Sequence, residues 1–241
     1  DPAVCTQIRE IQAGSGTGNG GTLMKKLAVI LFSCLPLVAF AAGGGHNEYV
    51  VKAPVNLQDK VSLQNGAKLF VNYCLGCHTL QYQRYSRMAE DLEMPEELVM
   101  ENLNFVSDKF GDQMHNAMDQ DDAKKWFGNA PPDLTMVTRY RSSDWVYSYL
   151  INFYEDESRP FGYNNHVFPS VGMPHVMAGL EEELGEDEFK QAMGDITNFL
   201  TYTAEPIRPQ RERLGVYVLV FLGILLIPAY LLKKEYWKDV H

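Results

Sequence analysis

Two thiols three residues apart, followed at once by an imidazole, form the strongest chemical signal in the chain: Cys74-Leu75-Gly76-Cys77-His78. On a helical turn, side chains at i and i+3 leave from the same side. Both sulfurs can then bond one flat macrocycle, each through one vinyl of a haem, and His78 lies beneath the ring where an imidazole nitrogen can ligate iron. This is the c-type haem attachment pattern. The expected cofactor is one covalently attached haem c, with Cys74 and Cys77 as thioether sites and His78 as a metal ligand. A thioredoxin-like pair would instead open a helix, whose N-terminus stabilises thiolate. Here the run Leu63 to Tyr73 reads as a helix with Leu63, Ala67, Phe70 and Val71 on roughly one face, so the motif ends a helix. A structural zinc site needs a second pair of ligands, and there is no second close pair of cysteines.

Iron held this way needs a sixth ligand or keeps an open position. Met173 stands in Phe168-Pro169-Ser170-Val171-Gly172-Met173-Pro174, a stiff non-helical loop suited to presenting a thioether. Met177 is its nearest rival, and His115, His166 and His175 offer imidazole alternatives. Met88, Met94, Met100 and Met193 sit in helix-like surroundings where methionine fills cores. A His/Met pair raises the reduction potential and leaves no position for substrate, so such a centre passes single electrons and no catalytic residue is assigned. Arg139 and Arg141 lie in an acid-rich stretch, where they serve either a haem propionate or an ordinary surface.

The elements that must position these groups read as helices with few clean strands. A helix is expected over Pro95 to Glu101 with Pro near N1, another from Ser143 to Ile151, and a final amphipathic one from Asp187 to Thr203. The aromatics of the last helix are expected to pack near Gly66 and Phe70. Trp126 to Leu134 reads as a loop stiffened by Pro131 and Pro132.

With 241 residues, 46% hydrophobic and 22% charged, the composition is that of a globular protein rather than a disordered or coiled-coil chain, and a mean hydropathy of -0.22 excludes a polytopic membrane protein. The net charge of -10 argues against nucleic acid as a partner. Residues 42–210 carry 13 basic and 26 acidic side chains, so this part is more acidic than the whole. The acidic blocks are either a solvated surface or a face that steers a basic protein.

The ends divide the chain further. Residues 1–23 are Gly-rich without hydrophobic period and read as a non-native or disordered segment. Residues 24–41 read as a signal peptide: Lys25-Lys26, an apolar core, then Ala39-Phe40-Ala41. Residues 42–210 form the expected haem domain. Residues 211–232 include the uncharged run Leu214 to Leu232, long enough to cross a bilayer, with Pro228 inside it. Lys233, Lys234 and Lys238 place the tail, residues 233–241, in the cytoplasm by the positive-inside rule. The haem domain is then periplasmic on a bacterial inner membrane.

These residues, together with Ala130-Pro131-Pro132-Asp133-Leu134, Val171-Gly172-Met173-Pro174 and Phe199 to Pro206 ahead of the anchor, give a chain that resembles the cytochrome c1 family over roughly Leu63 to Trp237. These are the haem subunits of quinol–cytochrome c oxidoreductase (bc1) complexes, here in the bacterial form. The resemblance implies an all-α, cytochrome c-like haem domain with a single C-terminal transmembrane helix. It implies His78 and Met173 as the two iron ligands, Arg141 on a haem propionate, and Asn129, Pro131 and Pro132 lining the pocket. Trp145 stands where family members often carry Tyr. Electrons would arrive from a Rieske iron–sulfur protein and leave to cytochrome c, in a dimeric membrane complex whose cytochrome b oxidises quinol.

Overall fold

The computed structural model describes residues 47–238. The segments read as an upstream stretch and a signal peptide, residues 1–41, lie outside the described residues, as do Cys5 and Cys34.

Nine helices occur among the described residues, and two of them make the frame. Helix α1 (Lys60–Tyr73) begins at Asp59, whose carboxylate accepts the Ser62 N–H at 3.1 Å and so satisfies one of the free donors of the first turn. Its Leu63, Ala67, Phe70 and Val71 are buried, the face that the apolar spacing marks out. The chain then runs through β1 (Leu80–Arg84), α2 (Tyr85–Leu92), α3 (Glu96–Asn102), β2 (Gln113–Met114), α4 (Gln120–Phe127), α5 (Val137–Tyr140), α6 (Ser143–Ile151), β3 (Phe153–Glu155), β4 (Tyr163–Asn165) and α7 (Ala178–Leu184). Helix α8 (Glu186–Ala204) follows and is buried almost continuously from Ala192 to Ala204.

Helices α1 and α8 cross at Gly66. A Cβ there would stand 2.1 Å from the Asp195 carbonyl oxygen and 2.8 Å from Phe199 Cβ, so only glycine permits this approach. Phe70 and Phe199 meet beside it with centroids 5.9 Å apart, as the aromatic content of the last helix leads one to expect. The crossing is also pinned by polar groups. The buried Asp195 carboxylate accepts from Ser62 Oγ at 2.7 Å and Asn65 Nδ2 at 2.6 Å, and Asn198 exchanges hydrogen bonds with the backbone of Asn56. Each buried polar atom here has a partner, which offsets its desolvation.

The layers are helical, with strands confined to two antiparallel pairs, β1–β2 and β3–β4. The second pair aligns Phe153, Tyr154 and Glu155 with Asn165, Asn164 and Tyr163. One expectation needs correction: Trp126 and Phe127 close α4, and the loop begins at Gly128, whose φ of 80° breaks the helix. Asp119 caps that helix by accepting from Asp121 and Asp122 N–H, a start that outweighs the prolines five residues downstream of Trp126.

Helix α9 (Arg208–Tyr236) buries none of its side chains. Its 29 residues are about 43 Å long. Among the described residues it is the one helix long and apolar enough to cross a membrane, with a mean hydropathy of 2.4 over its most apolar 18 residues, and it fits a single-pass membrane protein.

Candidate haem site

The attachment motif leaves α1 through its C-cap. Cys74 N–H donates to Phe70 O at 2.8 Å, and the carbonyl of Cys74 accepts from Cys77 N–H at 3.1 Å and from His78 N–H at 2.8 Å. The motif is therefore one closed turn, the arrangement that brings thiols at i and i+3 to one side. Cys74 is buried and Cys77 half-buried. Burial, and then the neighbouring Cys77, push the Cys74 thiol up to about 12, so it stays protonated.

His78 Nδ1 lies 2.8 Å from the carbonyl oxygen of Pro132. A carbonyl only accepts, so Nδ1 carries the proton and Nε2 keeps its lone pair. This hydrogen bond to the Pro132 carbonyl fixes the tautomer that a metal needs. Burial also holds the imidazole below its ordinary basicity, against upward pulls from the Pro132 carbonyl and the Asp133 charge. The loop that supplies Pro132 is itself held to the motif. Asp133 Oδ2 accepts from Thr79 Oγ1 and Gln81 N–H, both at 2.7 Å. Its Oδ1 accepts from Thr135 N–H at 3.0 Å, and Leu134 N–H donates to Thr79 O at 2.9 Å.

The thioether side comes from α6 and the β3–β4 hairpin. Ser142, at φ 87°, turns the chain between α5 and α6, and its hydroxyl caps α6 by accepting from Trp145 N–H at 3.2 Å. Along α6, Trp145 stacks on Tyr149 at 5.2 Å, and the Tyr149 hydroxyl donates to Met173 Sδ at 3.4 Å. Burial raises the Tyr149 pKa further above its ordinary value, so it remains a donor. Met173 is half-buried. Its rivals are engaged elsewhere. Met177 is 2% exposed and belongs to the core. His175 Nε2 meets Glu181 Oε2 at 2.8 Å, with its ring stacked on Phe153. His166 is sandwiched between Tyr49 and Tyr154, and His115 bonds Gln113.

The two arginines separate. Arg139 is committed to Glu205 at 3.3 Å. Arg141 has no carboxylate partner among the described residues, and its guanidinium lies over Tyr140 and Trp145, 5.0 Å from each ring centroid. Pro131 is half-buried and Asn129 exposed; neither side chain makes a described hydrogen bond to the motif. The donor set fits a c-type haem: two thiols on one turn, an imidazole with Nε2 free and a thioether on a braced loop.

The Cytochrome C1 family model matches residues 49–240. The chain belongs to the cytochrome c1 family. Cytochrome c1 of Allochromatium vinosum is 50% identical to it, over 90% of this chain and all of that protein. A second relative, from Nitrosomonas europaea, is described as an ammonia monooxygenase gamma subunit and is 38% identical over the same shares. Among solved structures, a chain of a hyperthermophilic respiratory Complex III covers 92% of this chain and 98% of its own length at a TM-score of 0.48 and 16% identity. Membership in the cytochrome c1 family brings a c-type haem and electron transport in a respiratory chain.

Sequence reasoning assigned no role to Asp133 and Tyr149, whose hydrogen bonds are given above, nor to Arg159 and Asn164, which hydrogen-bond the backbone of Ser170 and Val171 ahead of Met173. Asp133 had a signal, since an Asp in a loop commonly accepts from the backbone N–H two residues on, as it does here from Thr135. The rest act across gaps that carry no local pattern.

Proposed function

We propose that this chain is an electron-transfer subunit carrying one haem c on Cys74 and Cys77. His78 and Met173 would hold the iron, Arg141 would pair with a propionate, and Asn129, Pro131 and Pro132 would line the pocket. Bound there, the group supplies a one-electron iron couple. The residues do the rest. His78 is held in its ligating tautomer by Pro132, Tyr149 keeps the Met173 sulfur in place, and both sides leave no vacant position for substrate. The observation that carries this reading is the His78–Pro132 hydrogen bond on a motif closed into one turn.

In this reading the subunit is not an enzyme by itself. It accepts electrons from a Rieske iron–sulfur protein and passes them to cytochrome c, within a dimeric quinol–cytochrome c reductase complex that also holds cytochrome b. Residues 42–210 lie in the periplasm, residues 211–232 cross the bacterial inner membrane, and residues 233–241 are cytoplasmic. The relative named for ammonia monooxygenase favours one alternative, the same carrier attached to a different oxidase.

Acid-acetone treatment of the purified chain should leave the colour on the polypeptide, with a c-type pyridine haemochrome. Met173→Leu should keep that haem, lower the midpoint potential and admit carbon monoxide to the reduced form; an unchanged potential would exclude Met173 as ligand. Purification in mild detergent should bring down a cytochrome b and a Rieske protein, and co-isolation with an oxidase alone would select the alternative.

A further inference from the structure

The loop that presents Met173 holds a shape that its residues disfavour. Ser170, at φ 65°, is in the left-handed region, where a side chain with a Cβ is strained unless neighbours over-determine the backbone. The neighbours that do so come from the β3–β4 hairpin. Asn164, which is buried, accepts the Ser170 N–H on Oδ1 at 2.9 Å. The Arg159 guanidinium donates from one terminal nitrogen to Ser170 O and to Val171 O, both at 2.8 Å. Asp156 supports the brace: its Oδ2 accepts from Asn164 Nδ2 at 2.8 Å, and hydrogen bonds from Ser158 and Asn164 hold its carboxyl below the ordinary range.

Arg159 is an expensive choice for such a brace. Its Nε is buried without a partner, and the side chain makes no ion pair among the described residues. That nitrogen gives up hydration with no hydrogen bond in return, a cost that comes with holding the terminal nitrogen against the two carbonyls. Its two bonds fall on the carbonyls two and three residues before Met173, and Tyr149 secures the sulfur from the other direction. A loop clamped at both points has little freedom to swing its thioether away, which is how an outer-shell group acts on a ligand it does not touch.

We propose that Arg159 is a positioning residue for the sixth iron ligand: by clamping the Ser170 and Val171 carbonyls, it keeps the Met173 thioether on the iron in both redox states. This rests on the reading of Met173 as ligand, and the two are tested together. Arg159→Gln, Arg159→Lys and Met173→Leu are made in the full-length chain and compared with wild type. The readouts are covalent haem content, the long-wavelength thioether-to-ferric charge-transfer band, midpoint potential, and carbon monoxide binding by the reduced protein.

In Arg159→Gln, haem content should stay at the wild-type level, because the thioether turn and His78 are built from other residues. The charge-transfer band should weaken, the potential should fall, and carbon monoxide binding should rise about tenfold. Arg159→Lys, which keeps the charge but ends one bond short of the terminal nitrogen that reaches both carbonyls, should recover part of each. If Met173→Leu shifts the potential and Arg159→Gln leaves band, potential and carbon monoxide binding at wild-type values, the clamp is refuted and the ligand stands. If Met173→Leu also changes nothing, the ligand reading itself falls. If Arg159→Gln does not accumulate with haem, Arg159→Lys is decisive, and wild-type behaviour in all three readouts overturns the proposal.

Discussion

Replacing Gly66 by alanine tests whether the α1–α8 crossing is as close as described. The added methyl would meet the Asp195 carbonyl oxygen at 2.1 Å and Phe199 Cβ at 2.8 Å, whereas ordinary contact begins at 3.4 Å. The obstacle is the backbone of a buried helix, which cannot rotate aside as a side chain tip would. The helices must therefore separate by roughly 1.3 Å, stretching the hydrogen bonds of Asp195 and opening the Phe70–Phe199 contact; such overpacking costs about 3 kcal/mol. Alanine returns about 1 kcal/mol through helix propensity, leaving a net loss of about 2 kcal/mol. For a chain of this size, that lowers the melting midpoint by about 4–8 °C. Thermal unfolding of the detergent-solubilised protein, followed by circular dichroism, measures it. A midpoint equal to or above that of wild type would refute the crossing geometry.

Asp133→Ala removes the acceptor for Thr79, Gln81 and Thr135; at about 1.5–3 kcal/mol per bond to a charged group, stability should drop markedly, and an unchanged denaturant midpoint would contradict the network. Tyr149→Phe takes the donor from Met173 Sδ, and potentiometry should record a fall smaller than about 60 mV, since the bond exists in both redox states and 59 mV is a tenfold change for one electron. The Glu205 carboxyl is held below its ordinary range, first by hydrogen bonds from Arg211 and then by the charges of Arg211, Arg139 and Arg208. Its contribution is therefore present above the free carboxyl pKa and disappears as pH falls through the depressed value. Glu205→Gln should melt below wild type at pH 7, and the gap should close as the pH falls below the ordinary carboxyl range; equal melting temperatures at pH 7 would remove any role for this joint.

The helices that carry apolar spacing were legible. The face of α1 with Leu63, Ala67, Phe70 and Val71 is the buried one, and α8 runs one residue beyond each end of the expected span. The strands were not: Phe153–Glu155 and Tyr163–Asn165 are three residues each and Gln113–Met114 is two, too short for a period of two to emerge from noise, and the five residues of Leu80–Arg84 pair with that short partner across a register shift. Helix α4 was misjudged at its end, where Trp126 and Phe127 sit close to the prolines but answer to the Asp119 cap. The site divides in the same way. Cys74, Cys77 and His78 are local and readable, as is the rigid loop around Met173. The hydrogen bonds that prepare these groups link Pro132 to His78, Tyr149 to Met173 and Arg159 to Val171, and they depend on how the chain returns upon itself. Arg139 and Arg141 look alike in sequence, and only Glu205, at the far end of α8, tells them apart.

Pro228 interrupts the anchor helix at a point with no side-chain remedy of its own. Proline has no N–H, so the oxygen of Ile224 one turn earlier lacks its usual donor. From Leu214 to Leu232 the sequence holds no serine or threonine that could fold back to cover it. In a hydrocarbon layer a bare oxygen is costly, so relief comes from a local 3₁₀ or π adjustment of the helix, a donor on a neighbouring span or a trapped water. A helix with this defect is better suited to standing beside another helix than to standing alone in lipid.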